Sequence, residues 1–483
     1  MIILPANTLS TGGYDVANSC RFDRASNPHM TKTQSDGDRD KWTFSCWFKL
    51  GATYGTIRYI LTSKIDGSNY VTIEMDAADK LRFGVLIAGS YDSFKKSNRV
   101  FYDVSAWHHL VCVYDSENGT AGHRQRVYIN GVEETSWASD TTTTQNQDSA
   151  MNYSSADVRV GNLDGESSWW DGYLAEVCLV DGSALAPTSF GEFDEDSPDI
   201  WKPIDVSGLS FGTNGFYLDF EDSSNLGNDA NGGTDLTEAN ITATDQATDT
   251  PTNNFATWNP IWRWALDNDT QYTEGNVNAG FATASDRGFA VSTMAVSAGK
   301  FYWEVKIPTT GRMYTGVADA NVIAGYSGGP WDQTGTGASY SLTIRHSNGD
   351  IQTEGSTETA YAPDGADDDI IMWALDMDNN RVWHGINGTW SDSGDPTSGA
   401  TGTGDLTTQV STQIHLTQSD FIFPVVADPS TAGGSVSQAN FGGCPGFAIS
   451  SGNADANGYG NFEYAPPSGF LALCSKNLGS TGG

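Results

Sequence analysis

Lys300-Phe301-Tyr302-Trp303-Glu304-Val305-Lys306-Ile307 decides the reading of this chain. Eight residues rich in aromatic and β-branched side chains, without Gly or Pro, read as a strand. Outward from it lie Tyr314-Thr315-Gly316-Val317-Ala318-Asp319 and Ile370-Ile371-Met372-Trp373-Ala374-Leu375-Asp376-Met377-Asp378. A turn then leads to Arg381-Val382-Trp383-His384, followed by Asn387-Gly388-Thr389-Trp390, Phe423-Pro424-Val425-Val426-Ala427-Asp428 and Asn440-Phe441-Gly442. Apolar runs alternate with Gly, Asn, Asp, Ser and Thr, which supply positive-φ positions and side-chain turns. No long segment carries apolar residues at helical spacing, so the fold class is all-β.

In that order these phrases resemble the SPRY module, a bent β-sandwich used for recognition. Met372 and Trp373 stand where eukaryotic SPRY modules usually carry a Gly after the Asp-x-Ile of this strand. The resemblance implies a binding protein, with partner contacts made by loops.

A chain of 483 residues exceeds one ordinary core, so two or three domains are expected. Hydrophobic residues make up 38%, including 15 Trp and 21 Phe, enough to fill packed cores. The charge balance is 60 acidic to 25 basic residues, a net −35. Such a chain repels phosphate backbones and anionic lipid surfaces, so neither nucleic acid nor membrane insertion is expected. No Lys or Arg occurs between Trp383 and Ser475. This surface suits a salty medium, where self-repulsion is screened. Some of its Asp clusters could alternatively hold Ca²⁺ through several oxygens.

Cys20, Cys46, Cys112, Cys178, Cys444 and Cys474 form no C-x-x-C pair, which argues against a thiolate zinc site. Cys46, Cys112 and Cys178 sit within apolar strand-like runs as small buried hydrophobes, which points to synthesis in a reducing cytoplasm. The opening Met1-Ile2-Ile3-Leu4-Pro5 lacks the features of a secretory signal. No stretch approaches the ~20 apolar residues of a membrane span.

Residues 1–14 read as an arm. From 15 to 200 strands and turns alternate. Trp42-Thr43-Phe44-Ser45-Cys46-Trp47-Phe48-Lys49-Leu50 carries large apolar residues on both faces, and Asp76-Ala77-Ala78-Asp79 reads as a hairpin turn between Tyr70–Met75 and Lys80–Val85. Asn130-Gly131 signals a second tight turn. The Trp107-x-His109-Leu110-Val111 strand, the Val127-Tyr128-Ile129-Asn130-Gly131-Val132 hairpin and Trp170-Asp171-Gly172-Tyr173-Leu174-Ala175-Glu176-Val177 resemble the concanavalin A-like, laminin G-type jelly roll. Many such modules are lectins, often with Ca²⁺ at one rim. The expected architecture is an N-terminal jelly-roll sandwich plus a C-terminal SPRY-like sandwich over 259–447, with a tail from 448 to 483.

Residues 201–258 read as a bridge of extended or loop structure lying over a domain surface, since Asn, Asp, Gly and Thr dominate it. The jelly roll, Trp201-Lys202-Pro203, Gly212-Thr213-Asn214-Gly215-Phe216-Tyr217-Leu218-Asp219-Phe220 and Asp249-Thr250-Pro251-Thr252-Asn253-Asn254-Phe255 together resemble a segment of tailed-bacteriophage structural proteins that a SPRY-type module commonly follows. Gly388-Thr389-Trp390 with Ser393-Gly394-Asp395-Pro396, and Tyr464-Ala465-Pro466-Pro467-Ser468-Gly469-Phe470-Leu471-Ala472-Leu473, extend that resemblance.

Glu74-x-Asp76-x-x-Asp79 approaches the E-x-D-x-x-E signature of laminarinase-type glucanases, with Glu74 and Asp76 on one strand face. The third carboxyl is one methylene short and lies in a turn, where carboxylates are ordinarily solvated. His108 and His109 read as structural, and no H-E-x-x-H or phosphate loop occurs. Binding residues are instead expected among loop aromatics. Ser167-Ser168-Trp169-Trp170 lies beside Asp164 and Glu166, and one Trp over acidic groups would make a sugar platform or, with Ca²⁺, a lectin rim. Both Trp covering the core edge is the competing reading. Trp331 and Tyr340 are the candidates of the second module.

The sequence thus implies a non-enzymatic virion protein of fibre, tail-tip or capsid-decoration type, made in the host cytoplasm and displayed on the virion surface. Its partners would be other virion proteins and a host cell-surface glycan or protein, with homo-oligomerisation expected. A purely structural cement role is the alternative, and a jelly-roll glycosidase the third.

Overall fold

The computed structural model describes residues 13–52, 55–262, 270–281, 288–309, 313–319, 341–353, 356–358, 361–408, 421–428 and 434–480. It divides into two compact units, Ser10–Asn253 and one beginning at Asn254. The arm expected at 1–14 falls almost entirely outside the described residues.

The first unit contains β1 (Ser19–Phe22), β2 (His29–Thr33), β3 (Lys41–Leu50), β4 (Arg58–Asp66), β5 (Asn69–Met75), β6 (Leu81–Ile87), β7 (Ser90–Ser97), β8 (Trp107–Asp115) and β9 (Gln125–Ile129). It continues through β10 (Val132–Glu133), β11 (Trp137–Thr141), β12 (Asp157–Val160), β13 (Gly172–Asp181), β14 (Gly191–Phe193), β15 (Trp201–Pro203), β16 (Phe216–Leu218), β17 (Thr237–Ala239) and β18 (Gln246–Ala247). One antiparallel sheet runs β10-β9-β8-β3-β13-β1-β18, with β16 also paired to β13. The facing sheet runs β11-β7-β6-β5-β4-β12-β2-β17. Phe44, Phe48, Leu110 and Cys112 meet Val71, Ile73, Phe83 and Val158 in the core between them.

The two apolar faces of β3 have separate uses. Trp42, Phe44, Cys46 and Phe48 enter that core, while Trp47 packs outside it with Val16, Ala175 and Trp201. Val111, Val113, Cys178 and Val180 likewise face outward and are covered by Phe190, Val206, Phe211 and Tyr217. An outer sheet face this apolar would cost about 25 cal/mol per Å² if left in water. The chain after β13 therefore folds back over it. Residues 201–253 accordingly do more than bridge: β16, β17 and β18 extend the two sheets.

Both expected turns form. Asn130 and Gly131 adopt φ of 49° and 77°, joining β9 to β10 through a two-residue loop. Between β5 and β6, Asp76 accepts hydrogen bonds from the Ala78 and Lys80 amides at 2.8 and 3.0 Å. His109 is structural, as expected. Its Nδ1 accepts from Trp201 Nε1 and its Nε2 lies 2.9 Å from Ser45 Oγ, and burial pushes its pKa down to about 3.

In the second unit Lys300–Ile307 lies mid-sheet, antiparallel to Asp369–Asp376 and Ser435–Asn440 and parallel to Leu471–Ala472. A second sheet contains Gly288–Val291, Ile422–Asp428, Tyr314–Asp319 and Ser341–Arg345. Trp303 and Trp373 stack at 6.2 Å in the core, and Trp383 is fully buried. The stretch expected as a tail is part of this body, because Phe462, Phe470, Ala472 and Cys474 are buried with Tyr302 and Trp383. Glu304 fastens it by accepting from the Glu463 and Tyr464 amides, Asn440 Nδ2 and Tyr302 Oη at 2.7–3.0 Å. All six cysteines are buried. Among the described residues no helix is long and apolar enough to cross a membrane.

Candidate ligand-binding surfaces

The loop between β12 and β13 separates its two tryptophans as strand alternation requires. Trp170 donates its amide to Gly161 O at 2.7 Å and buries its ring completely, edge-on to Phe48 at 5.9 Å. It is a core residue and not part of a ligand platform, which corrects the expectation for it. Trp169, bridged to Asn162, stays half-buried at the surface.

Asp164 is already engaged, at 2.8 Å from Arg159 and 3.9 Å from Lys64, and Glu166 is exposed. Among the described residues no group of three or more His, Cys, Asp or Glu side chains converges. Two carboxylates, one shared by two cations, do not fit Ca²⁺, which requires several converging oxygens. Trp331 and Tyr340 lie outside the described residues.

The outer face of β4–β7 carries a cross-strand row in direct register: Tyr59, Glu74, Arg82 and Lys96. Glu74 is 3% exposed and lies 2.9 Å from Arg82. Burial pushes its carboxyl up to about 7, against the pull of that guanidinium. Asp76 pairs with Lys96 at 2.5 Å, and Asp79 with the buried Arg58. Thus each carboxylate of the glucanase-like triplet has its own cation. Gly84 leaves space on this face, since a Cβ there would lie 2.8 Å from the Tyr91 ring. Tyr91 and Phe94 pack together at 4.6 Å, with Arg82 over Phe94.

A cleft of about 230 Å³ opens where both sheets end, between β7 and β11 on one side and β9 and β10 on the other. Trp137 lines it, with Lys95 5 Å or less above its ring (4.8 Å to the centroid) and bonded to Asp140 at 2.7 Å. Gln125, Arg126 and Thr143 also line it, and each has a buried polar atom without a partner: Oε1, Nε and Oγ1 respectively. Glu133 and Glu134 add carboxylates. Sequence reasoning passed over this place. Its one local signal is a Trp in the polar stretch Glu133-Glu134-Thr135-Ser136-Trp137, directly after the Asn130-Gly131 turn.

Residues 24–188 match a family model. It is that of the Concanavalin A-like lectin/glucanases superfamily (Laminin_G_3), and the match covers about a third of the chain. No curated protein matches. Among solved structures, domains LG4-5 of the mouse laminin alpha1 chain are 10% identical, with 89% of this chain and 91% of that one covered at a TM-score of 0.30. The SPRY domain of human HERC1 is 14% identical over 38% of this chain and 96% of its own, at 0.27. A heptameric SAP-like pentraxin from Limulus polyphemus is 19% identical over 36% and 80%, also at 0.27. These likenesses carry no functional argument. The chain is all-β, two units of packed sheets, of which the first contains the stretch that matches the concanavalin A-like model.

Proposed function

We propose that this chain is a non-enzymatic, lectin-like binding protein, displayed on a tailed-bacteriophage virion as a fibre, tail-tip or capsid-decoration subunit. The binding half is carried by one observation: Glu74, Asp76 and Asp79 are each tied to a cation, within a stretch that matches a family named for both lectins and glucanases. A retaining glycosidase needs an acid and a free nucleophilic carboxylate ~5 Å apart. Glu74, held near 7, resembles an acid, but Asp76 beside it is bound to Lys96. This supports the lectin branch.

The virion half rests on the sequence phrases at 201–220, 249–255, 388–396 and 464–473. In that setting the chain is made in the host cytoplasm and assembles as a homo-oligomer with other virion proteins. It then meets a glycan or protein of the host surface.

Titrating the purified chain onto host cells and an array of their surface glycans, with and without EDTA, tests the proposal. Saturable binding unaffected by EDTA, with no sugar released by hydrolysis, is expected. A folded chain that binds nothing on the array but is retained by particles lacking it would replace this reading with the cement role.

A further inference from the structure

We propose that Lys49 and Asp249 form a self-modification site, where ammonium and carboxylate condense to an amide that joins β3 to the segment after β18. Lys49 Nζ lies 2.7 Å from Asp249 Oδ2, and each side chain is 1% exposed. Trp107 Nε1 donates to the other carboxylate oxygen, Oδ1, at 3.0 Å. Both backbones are held in place. Lys49 stands between Trp107 of β8 and Tyr173 of β13 in direct register. The Asp249 carbonyl accepts from Ser19 Oγ at 2.6 Å, and Thr250 and Asn253 exchange backbone hydrogen bonds directly after it. Two complementary reactive groups 200 residues apart are thus fixed against each other in a site closed to water.

Burying an ion pair strips both ions of water, and mutual attraction offsets that loss only in part. Condensation removes both charges together. A proton passes from Nζ to Oδ2 along the 2.7 Å contact, leaving an amine and a carboxylic acid. The Nζ lone pair then attacks Cγ, while the Trp107 N–H holds the oxygen on which negative charge develops. A second proton moves from Nζ to Oδ2, the Cγ–Oδ2 bond breaks, and water leaves a secondary amide behind. No oxidant, reductant or co-reactant enters. Fixed reacting groups gain effective molarities of about 10⁵–10⁸ M, and the closed site keeps out the water that would reverse the step. Exposure sets this pair apart from its neighbours. Lys41 and Glu117 are as close, at 2.6 Å, but 29% and 55% exposed, so both ions stay hydrated and the pair remains a salt bridge.

Intact mass of the purified chain, taken in denaturant, and a tryptic peptide map test the proposal. The parent is expected about 18 Da below its sequence mass, one water, with the deficit in a branched peptide carrying both residues. Trypsin should not cut after Lys49. Asp249→Asn should condense with loss of ammonia and run about 17 Da light. Asp249→Ala should show its full mass and ordinary cleavage after Lys49. The parent should also migrate faster than Asp249→Ala on a denaturing gel, because the amide closes a ring of 200 residues. A folded parent of full mass, cut normally after Lys49, overturns the proposal. So does a water deficit that maps only to an Asp-Gly peptide. If Asp249→Ala fails to fold, the mass and map of the parent still decide.

Discussion

Glu176 occupies a position that costs the fold something at neutral pH. It sits at a register break in β13 with φ of 50°, and its carboxylate accepts from Tyr217 Oη at 2.8 Å and Tyr14 Oη at 3.3 Å. Burial outweighs those two bonds and pushes the carboxyl up to about 8. Asp171 and Glu74 are pushed up to about 7, and Glu304 to about 6, also by burial. In each case the folded state holds the proton more tightly than the unfolded chain. Unfolding therefore releases protons between the ordinary carboxyl range, near pH 4, and about pH 8, and stability falls as pH rises through that window. The buried imidazoles His109 and His384, each pushed down to about 3, act oppositely below pH 6.5, so the carboxyl contribution is read by difference. Glu176→Gln should melt about 4 °C above the parent at pH 8.5, on the order of 1–2 kcal/mol, and within a degree of it at pH 5. Calorimetric melts at the two pH values check this, and an equal offset at both would contradict it. None of this was legible in the sequence, where Glu176 reads as one more residue of the Trp170–Val177 strand phrase.

At the scale of elements, the sequence was most readable where a turn demands particular residues. Asn130-Gly131 specified its hairpin because only such residues tolerate two successive positive φ values. The same glycine has a second duty that no turn rule reveals. A Cβ on Gly131 would lie 2.3 Å from the Trp201 ring, so β15 can cross the hairpin only over a bare backbone. Gly131→Ala should therefore cost both φ strain and displacement of Trp201, about 2–3 kcal/mol together. The loss should appear in urea unfolding and as faster amide exchange in β8 and β9, beneath Trp201. The Trp169-Trp170 pair shows the limit of such reading. Alternation requires one inward and one outward ring, but only the packing of Phe48 against Trp170 says which.

For the whole molecule, strand phrases and apolar runs gave the all-β class and the two sandwiches, whereas the extent of each unit was hidden by composition. The stretch 201–253 is dominated by polar turn residues, yet Phe211, Phe216, Leu218, Leu226, Leu236 and Ile241 are buried in the first unit. Isolated apolar residues at irregular spacing leave no periodic signal: Phe211 covers the outer face of the first sheet, whereas Phe216, Leu218, Leu226, Leu236 and Ile241 join the core between the sheets. A fragment ending at residue 253 should therefore be soluble and melt cooperatively. A fragment ending at 200 should aggregate, with Val111, Val113, Cys178 and Val180 uncovered. Gel filtration of the two fragments decides this, and a soluble, cooperatively melting 10–200 piece would contradict it.

The parallel pairing of Phe301 with Leu471 has a consequence for how the chain is born. Partners about 170 residues apart cannot meet until the later one has left the ribosome, roughly 10–30 s after the first at about 5–20 residues per second. The first unit is closed by β18 and can fold while the rest is still being translated. The second waits with Tyr302 and Trp383 uncovered and the Glu304 carboxylate lacking its Glu463 and Tyr464 donors, so nascent-chain chaperones have most of its synthesis in which to act.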